Sequence, residues 1–219
     1  MCGICGFNRR DDVLLRRMMN EMTHRGPDLE GTFSSDAFSL GHRRLNIIDL
    51  SEQARQPMSN EDGSLQMVFN GEIYNFEELR GNLEARGHHF RSRSDSETII
   101  HAYEEYGADV LKHLRGMFAF AIWNNRDNSL FIARDRIGIK PIYYCRHQGG
   151  FSFASEIKAL IIDPSVPREL NHQALYHYMG FEFVPAPLTM FAHIAKLPAG
   201  HTLTFRNGEV RTAPYWDLS

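Results

Sequence analysis

The spacing of apolar residues predicts short helices and short strands that alternate along the whole chain. Helical spacing occurs in five segments, at residues 13–22, 76–87, 94–107, 155–161 and 171–179. Gly87 and Gly107 close two of these segments, as glycines often do at helix C-termini. Ser94 and Glu97 have the spacing of a capping box at the start of the third. We therefore expect helix boundaries at these positions.

The remaining apolar runs are short and rich in β-branched and aromatic residues, which is typical of strands. Strands are predicted at 3–7, within 38–50, at 65–71, and as hairpins over 117–134, 143–155 and 201–213. Asn207-Gly208 favours a type I′ turn in the last hairpin. Glycine turns are predicted near Gly41 and at Gly71. Many antiparallel hairpins with few helices predict an α+β domain built from layered sheets.

Composition narrows the range of partners without naming one. The chain has 219 residues, of which 42% are hydrophobic, so it can bury an ordinary core. Lysine and arginine total 24 against 27 acidic residues, so neither nucleic acid nor an anionic membrane surface is an expected partner. No apolar run approaches the ~20 residues of a membrane span, and no targeting segment is expected at the N-terminus. Three cysteines, an odd number, favour a reducing compartment, and we expect a cytoplasmic protein.

The opening MCGICG allows two interpretations of its cysteines. Cys2 and Cys5 have the spacing of a redox or metal-binding pair. A redox pair depends on a helix N-terminus to lower the thiol pKa, whereas this pair lies in a run that resembles a strand. Zinc needs about four ligands, and His88-His89 and Cys145 offer no second pair at a familiar spacing. We therefore expect no metal site.

The alternative makes Cys2 an N-terminal nucleophile. Removal of Met1 would leave a free α-amine on the residue that carries the thiol. Such an amine has a pKa of about 7.7–8.0, so it can act as a general base near neutral pH. Cys5 is then a small buried hydrophobic residue.

Three other positions offer matching chemistry, each beside a structural alternative. The Asn70 amide and the Gly71 N–H could stabilise an oxyanion, although the dipeptide alone indicates a turn. Arg44 could bind a carboxylate, although a surface ion pair is more common for arginine. Asp95 could bind an ammonium group, although acids are favoured in the first turn of any helix.

Seven motifs occur in collinear order, and together they carry a resemblance to one family. They are MCGICG, HRGPD (24–28), GHRRLNIIDLS (41–51), FNGEIYN (69–75), SDSE (94–97), RDRIGIKPIYY (134–144) and FASEIKAL (153–160). In these motifs the chain resembles the glutaminase domain of asparagine synthetase-type class II glutamine amidotransferases, over residues 2–216. We interpret HRGPD and RDRIGIKPIYY as scaffold rather than chemistry.

The resemblance implies an N-terminal nucleophile hydrolase fold, a four-layer αββα sandwich of antiparallel sheets. It also implies hydrolysis of L-glutamine to glutamate and ammonia through a thioester on Cys2, with Asn70 and Gly71 as the oxyanion hole. Arg44 would bind the glutamine α-carboxylate and Asp95 its α-ammonium group. The remaining residues of the implied pocket are Leu45, Asn46, Ile47, Ile48 and Glu72.

The resemblance further implies partners outside this chain. The family's synthetase domain carries an SGGxDS loop, which does not occur here. ATP and magnesium are therefore expected only with that domain, supplied in cis or in trans, and no cofactor is expected in residues 2–216. A homodimer is the family expectation, and aspartate the expected acceptor of ammonia. Two alternatives remain: another cysteine-initiated amide hydrolase, and a non-catalytic module of the same fold that retains Met1.

Overall fold

The chain folds into two six-stranded antiparallel sheets with helices on their outer faces. The structure, a computed structural model, describes residues 1–46, 48–49, 51–148 and 150–218. The strands are β1 (Gly3–Phe7), β2 (Leu29–Ser34), β3 (Ser39–Arg44), β4 (Met58–Ser59), β5 (Leu65–Ile73), β6 (Gly116–Asn124), β7 (Ser129–Arg134), β8 (Tyr143–His147), β9 (Gly150–Ala154), β10 (Ile194–Lys196), β11 (His201–Arg206) and β12 (Glu209–Pro214). The helices are α1 (Asp12–Asn20), α2 (Phe76–Glu84), α3 (Asp95–Tyr106), α4 (Val110–His113), α5 (Ile157–Leu160) and α6 (His172–Phe181).

Each sheet is assembled mainly from neighbouring hairpins. The first sheet has the strand order β10-β8-β9-β1-β3-β2, and the second has the order β12-β11-β7-β6-β5-β4. The N-terminal strand β1 is central in the first sheet, where it pairs with β3 and β9. The long strand β5 pairs with β6 along its whole length in the second sheet. The residue before β1 is therefore held by a sheet interior rather than by a loose terminus.

Three hydrophobic clusters separate the layers and confirm the predicted αββα sandwich. One lies between the two sheets and includes Ile4, Trp123 and Phe153. A second packs α1 and α5 on the first sheet, and the third packs α2, α3 and α4 on the second. Each strand of the inner layers can thus bury both faces, which explains why several apolar runs show no alternation.

Most predicted elements are confirmed. Asp11 caps α1 by accepting a hydrogen bond from the Leu14 N–H at 2.9 Å. The turn at Asn207-Gly208 has φ values of 51° and 78°, as a type I′ turn requires. The strands β2, β4 and β10 and the short helix α4 follow from no sequence pattern that we identified. None of the described helices is long and apolar enough to cross a membrane.

Two local predictions are wrong. No turn forms at Gly41 or Gly71, because β3 and β5 continue through them. An added Cβ would lie 2.8 Å from the Met19 side chain at Gly41 and 2.2 Å from the Met117 carbonyl oxygen at Gly71. These glycines allow close packing rather than chain reversal.

The capping box at α3 forms only in part. Ser94 is the N-cap and its hydroxyl accepts from the Ser96 N–H, as predicted. The Glu97 carboxylate, however, accepts from the backbone N–H groups of Arg91 and Ser92, both at 2.7 Å, and not from Ser94. Glu97 therefore fixes the segment before α3, which carries the chain into the region of Asp95.

Candidate active site

A pocket opens between the two sheets beside the N-terminus. It has an empty volume of about 580 Å³ up to its open mouth. One side comes from the first sheet, at Cys2 and the end of β3, and the other from β5 and the start of α3. Cys2 lines this pocket together with seven other predicted site residues, namely Arg44, Leu45, Ile48, Asn70, Gly71, Glu72 and Asp95. Residues far apart in sequence are thus brought together as predicted.

Two further predicted residues, Asn46 and Ile47, have different outcomes. Asn46 does not line it; its backbone N–H donates instead to the Asp28 carboxylate at 2.8 Å. Ile47 lies outside the described residues. The sequence interpretation gave neither side chain a chemical role, so the chemistry of the pocket does not depend on them.

The Cys2 thiol has polar neighbours that favour its ionised form, although burial opposes it. Its sulfur lies 3.5 Å from the Leu45 N, which donates to it, and 3.9 Å from the Leu45 carbonyl oxygen. Burial raises the pKa of Cys2, whereas the Leu45 hydrogen bond and the charges of Arg44 and Arg25 lower it. The thiol therefore needs a base to take its proton near neutral pH.

The strand geometry excludes a redox pair with Cys5. Side chains along β1 alternate between two faces: Ile4 points into the cluster between the sheets and Cys5 into the cluster under α1. Cys2, two residues before Ile4, lines the pocket between the sheets. Burial raises the pKa of Cys5 to about 12, so its thiolate does not form. All three cysteines are free.

Asn70 provides an unused hydrogen-bond donor inside the pocket. The residue is 1% exposed, and its amide nitrogen Nδ2 has no hydrogen-bond partner among the described residues. A buried donor without a partner costs free energy, which a ligand oxygen would recover. Gly71 follows it in β5, where the close approach of β6 leaves no room for a side chain.

Arg44 is a buried cation in the wall of the pocket. It is 6% exposed, and its guanidinium donates to the carbonyl oxygens of Asp49 and Ser51, so it holds the loop that follows β3. Within the described part of the chain, no carboxylate forms an ion pair with it. Its positive charge is therefore free to meet an anionic ligand group.

Asp95 is the opposite case, a buried carboxylate without a cation. It is 5% exposed and accepts from the Ile73 N–H at 2.9 Å and from the Ser94 hydroxyl at 3.4 Å. Burial raises its pKa to about 6, and the nearby Glu72 charge acts in the same direction. No ion pair to Asp95 occurs among the residues described.

Several lining residues were not predicted, and two of them organise the pocket. Asp49 accepts from the Arg93 N–H at 2.8 Å, which ties the β3 loop to the segment before α3. Gln56 accepts from the Phe69 N–H at 2.6 Å beside the Asn70 position. The others are Met1, Phe69, Ser94, Ser96, Met117 and Lys140. Asp49 lies within the motif GHRRLNIIDLS, but nothing in its pattern indicated a contact with residue 93.

The two motifs that we interpreted as scaffold hold residues of the pocket wall by hydrogen bonds. Arg25 of HRGPD donates to the Cys2 carbonyl oxygen at 2.9 Å and forms an ion pair with Glu156 at 3.0 Å. Asp135 of RDRIGIKPIYY accepts from the N–H groups of Ile139 and Lys140 at 2.8 and 2.9 Å. The Lys140 side chain then reaches the pocket lining, so this motif also places a charge there.

The surroundings of the N-terminal amine lower its pKa. In the unprocessed chain it belongs to Met1, which is 54% exposed at the mouth of the pocket. Burial lowers the pKa of this amine, and the charges of Arg25 and Lys140 act in the same direction. A lowered pKa increases the fraction of free amine near neutral pH.

Comparison with characterised sequences agrees with this geometry. Asparagine synthetase [glutamine-hydrolyzing] 1 of Bacillus subtilis is 43% identical over 99% of this chain and 35% of its own length. Asparagine synthetase [glutamine-hydrolyzing] 3 of the same organism is 36% identical over 100% of this chain and 37% of its own length. The chain thus spans about a third of the length of these relatives.

Two solved structures with a similar fold are known enzymes, one of them an amidotransferase. The structure described as the allosteric regulatory enzyme of purine biosynthesis has a TM-score of 0.75, with 17% identity, over 98% of this chain and 49% of its own. Glutamine phosphoribosylpyrophosphate amidotransferase from B. subtilis has a TM-score of 0.74, with 16% identity, over 99% of this chain and 49% of its own. This likeness confirms the N-terminal nucleophile hydrolase fold.

The sequence model of one family covers almost the whole chain, from residue 1 to residue 216, and it describes a glutamine amidotransferase domain. The pocket geometry, the relatives and the fold agree with that match. The chain therefore belongs to the family of glutamine amidotransferase domains.

Proposed function

We propose that this protein hydrolyses L-glutamine to glutamate and ammonia. One observation carries the proposal: the pocket beside Cys2 contains a buried cation and a buried carboxylate that are not paired with other protein charges. An α-amino acid zwitterion supplies both missing partners, with its carboxylate toward Arg44 and its ammonium group toward Asp95. Glutamine bound in this way has its side-chain amide left for the thiol.

The first half of the reaction forms a thioester. The Cys2 thiol gives its proton to the free α-amine and its sulfur attacks the glutamine side-chain carbonyl carbon. The carbonyl oxygen becomes an oxyanion, which accepts hydrogen bonds from the Asn70 amide and the Gly71 N–H. The protonated amine then gives its proton to the departing nitrogen. The carbon–nitrogen bond breaks, and ammonia leaves.

The second half returns the enzyme to its starting state. A water molecule gives one proton to the α-amine as its oxygen attacks the thioester carbon. The same donors stabilise the second oxyanion. The carbon–sulfur bond breaks, the Cys2 sulfur regains a proton, and glutamate departs. The sum is glutamine plus water to glutamate plus ammonia.

This mechanism requires removal of Met1, because only then do the amine and the thiol belong to one residue. The exposure of Met1 at the pocket mouth is compatible with its removal by an aminopeptidase. A chain that retains Met1 should bind glutamine and hydrolyse it slowly or not at all. Such a chain would be the non-catalytic module considered from the sequence.

The decisive experiment maps the adduct of a glutamine-mimicking electrophile. The purified protein is treated with the electrophile, with and without excess glutamine, and its N-terminal peptide is analysed by mass spectrometry. We expect one label on a Met-free Cys2, suppressed by glutamine. Arg44→Ala should lose the protection by glutamine. Protection that survives in Arg44→Ala would favour another cysteine-initiated amide hydrolase without an amino-acid clamp.

We further propose that the ammonia serves an ATP-dependent amidation carried out by a synthetase unit. The support is that relatives about three times as long are named as glutamine-hydrolysing asparagine synthetases. ATP and magnesium would belong to that unit, present in cis or in trans, and aspartate would be the acceptor. The test is asparagine formation from aspartate, ATP and glutamine, with free ammonia as the control donor.

An exposed aromatic surface on α6 supports a contact with such a unit. Tyr176 and Met179 are 79% and 77% exposed, and Phe181 and Phe183 are also exposed. Monomeric proteins rarely expose contiguous apolar side chains of this size without a partner. Tyr176→Ser with Met179→Ser should weaken the binding of the synthetase unit without changing glutamine hydrolysis.

The compartment and the assembly state complete the proposal. Three free thiols are compatible with a reducing cytoplasm. A homodimer is the family expectation, to be tested by sedimentation of the purified protein. Neither nucleic acid nor a membrane surface is a proposed partner.

A further inference from the structure

A second cluster of ionisable side chains lies beside α3, and none of its members lines the pocket. It contains two histidines and two glutamates, Glu61, His88, His101 and Glu104, which we call the α3 cluster. One potential ligand atom from each residue lies within 4.8 Å of all the others. Three segments contribute: the β4–β5 connection, the segment after α2, and α3 itself.

His101 is a buried imidazole without a hydrogen-bond partner among the described residues. Its side chain is 1% exposed, and neither ring nitrogen has a hydrogen-bond partner among the described residues. The Glu61 Oε2 lies 3.2 Å from the His101 Nδ1, but not in the direction of an N–H bond. A buried imidazole without a hydrogen-bond partner is uncommon, and an ion-binding site is one structural reason for it.

The neighbouring contacts orient the other three residues toward the same point. Asn60 donates to one oxygen of Glu104 at 3.0 Å, and the other oxygen lies 4.0 Å from the His88 Nδ1. Glu61 lies 3.2 Å from the same His88 nitrogen. Such outer partners commonly fix the orientation of metal ligands.

Glu97 has the position of a partner for the far side of His101. Its Oε1 lies 3.6 Å from the His101 Nε2, and its carboxylate is anchored by hydrogen bonds from Arg91 and Ser92. A carboxylate behind a histidine holds the proton on the far nitrogen and leaves the near one free to bind a metal. Glu97 would reach that arrangement by a shift of roughly 0.5 Å, which brings the two atoms to an ordinary hydrogen-bond distance.

We propose that the α3 cluster is a binding site for a divalent transition-metal ion, zinc in the first instance. Two imidazoles and two carboxylates form a four-ligand set that zinc accepts, whereas magnesium and calcium prefer oxygen ligands alone. Metal bonds of about 2.0–2.2 Å require the donor atoms to draw closer than the present 4.8 Å. Glu61 and Glu104 are each 33% exposed in their side chains and can make that movement.

From the sequence we expected no metal site, because we looked for pairs of ligands at a familiar spacing along the chain. In the structure, His101 and Glu104 lie one turn apart on α3, and Glu61 and His88 reach them from two loops. A bound ion would cross-link these loops to the helix whose first residue is Asp95. We therefore expect it to stabilise the fold.

The test measures zinc binding with the N-terminal thiol removed, because Cys2 and its amine could chelate zinc themselves. Tag-free Cys2→Ser protein is stripped with a chelator, dialysed against zinc, and analysed for metal content and thermal midpoint. We expect about one zinc per chain and a higher Tm in its presence. Cobalt(II) should give a spectrum of nitrogen and oxygen ligation without a sulfur charge-transfer band.

Matched variants decide whether the α3 cluster is the site. His88→Ala and Glu104→Gln should each weaken zinc binding by more than the 10–100-fold typical for loss of an outer partner. His89→Ala removes the exposed neighbour of His88 and should leave binding unchanged. Absence of stoichiometric binding, or equal binding by all three variants, would overturn the proposal. Both cluster variants replace partly exposed side chains, and circular dichroism verifies that they fold.

Discussion

At the scale of single residues, the pocket holds charges whose protein environment is incomplete. Asp95 is the clearest case, because burial raises its pKa to about 6 and only neutral donors contact it. Near neutral pH it is largely ionised yet poorly hydrated. An ammonium group of a ligand would offset that cost. The same buried, unpaired carboxylate therefore destabilises the free protein and attracts the ligand.

The rate of glutamine hydrolysis should therefore depend on the ionisation of Asp95. The protonated acid cannot pair with an ammonium group, so below about pH 6 kcat/KM should fall by a further factor of about ten per pH unit, beyond the fall caused by the amine and the thiol. Initial rates across the pH range measure this. Alkylation of Cys2 by iodoacetamide, which has no ammonium group, should follow the ionisation of the thiol alone and show no further break near pH 6. An identical limb in Asp95→Asn protein would contradict the assignment.

The same carboxylate should make the folded state less stable at neutral pH than it could be. Its pKa is raised, so the folded state binds the proton more tightly than the unfolded state between about pH 4 and 6. The free energy of unfolding then falls as pH rises through that interval and stays lower above it. Asp95→Asn should recover up to about 3 kcal/mol near neutral pH, measured by urea unfolding.

Asn70 should matter for the reaction and little for the fold. Its Nδ2 has no partner to lose, so Asn70→Ala should leave the thermal midpoint almost unchanged. Loss of one oxyanion donor typically lowers kcat about 100- to 1000-fold with a smaller effect on KM. Steady-state kinetics with glutamine measures both. A large rise in KM with unchanged kcat would mean that Asn70 binds the substrate rather than the oxyanion.

At the scale of elements, the turn after β7 is held by the side chains of Asp135 and Arg134, of which Arg134 donates to the carbonyl oxygens of Gly138 and Lys140. The Asp135 carboxylate accepts from the N–H groups of Phe118, Ile139 and Lys140, and Phe118 and Lys140 are buried. Asp135→Ala would leave two buried donors unpaired, at about 1–3 kcal/mol each. We expect a loss of roughly 2–6 kcal/mol in unfolding free energy by urea titration.

The isosteric variant provides the control for that turn. Asp135→Asn keeps one acceptor oxygen and the volume of the side chain, so it should cost less than Asp135→Ala. Equal losses for the two variants would show that packing, rather than hydrogen bonding, makes Asp135 important. The turn also delivers Lys140 to the pocket, so the alanine variant should impair catalysis as well as folding.

Elements were predicted well wherever one local signal decides the outcome. The α3 N-cap at Ser94 and the type I′ turn at Asn207 depend on adjacent residues alone, and both are confirmed. Gly41 and Gly71 were misassigned because their role is to admit a side chain or backbone from elsewhere. Glu97 failed as a capping residue for a related reason, since the segment before α3 offers it better donors.

The site divides in the same way. Residues inside recognisable motifs, such as Arg44 and Asp95, were predicted and line the pocket. Gln56 was missed because its contact with β5 depends on tertiary packing. The α3 cluster was missed because its four residues come from three segments with no shared spacing. Sequence patterns report local chemistry, whereas these contacts arise only when the layers close.

At the scale of the whole molecule, the three thiols occupy environments that should separate their reactivity. Cys2 lines the open pocket, whereas burial raises the pKa of Cys5 to about 12 and that of Cys145 to about 11. Native protein should react rapidly with one equivalent of a disulfide reagent, and with three after denaturation. Two rapid equivalents would revive the interpretation of Cys2 and Cys5 as a redox pair.

The division of the pocket between two sheets couples it to the core. Cys2 precedes a strand of the first sheet, whereas Asn70 and Gly71 lie in the second, and the hydrophobic cluster between them includes the stacked rings of Phe38 and Trp123. The distance between the Cys2 thiol and the oxyanion donors therefore depends on the thickness of this hydrophobic layer. Substitutions that repack this layer to raise stability therefore also change the distance between the nucleophile and the oxyanion donors. Stability and turnover cannot be engineered here as separate traits.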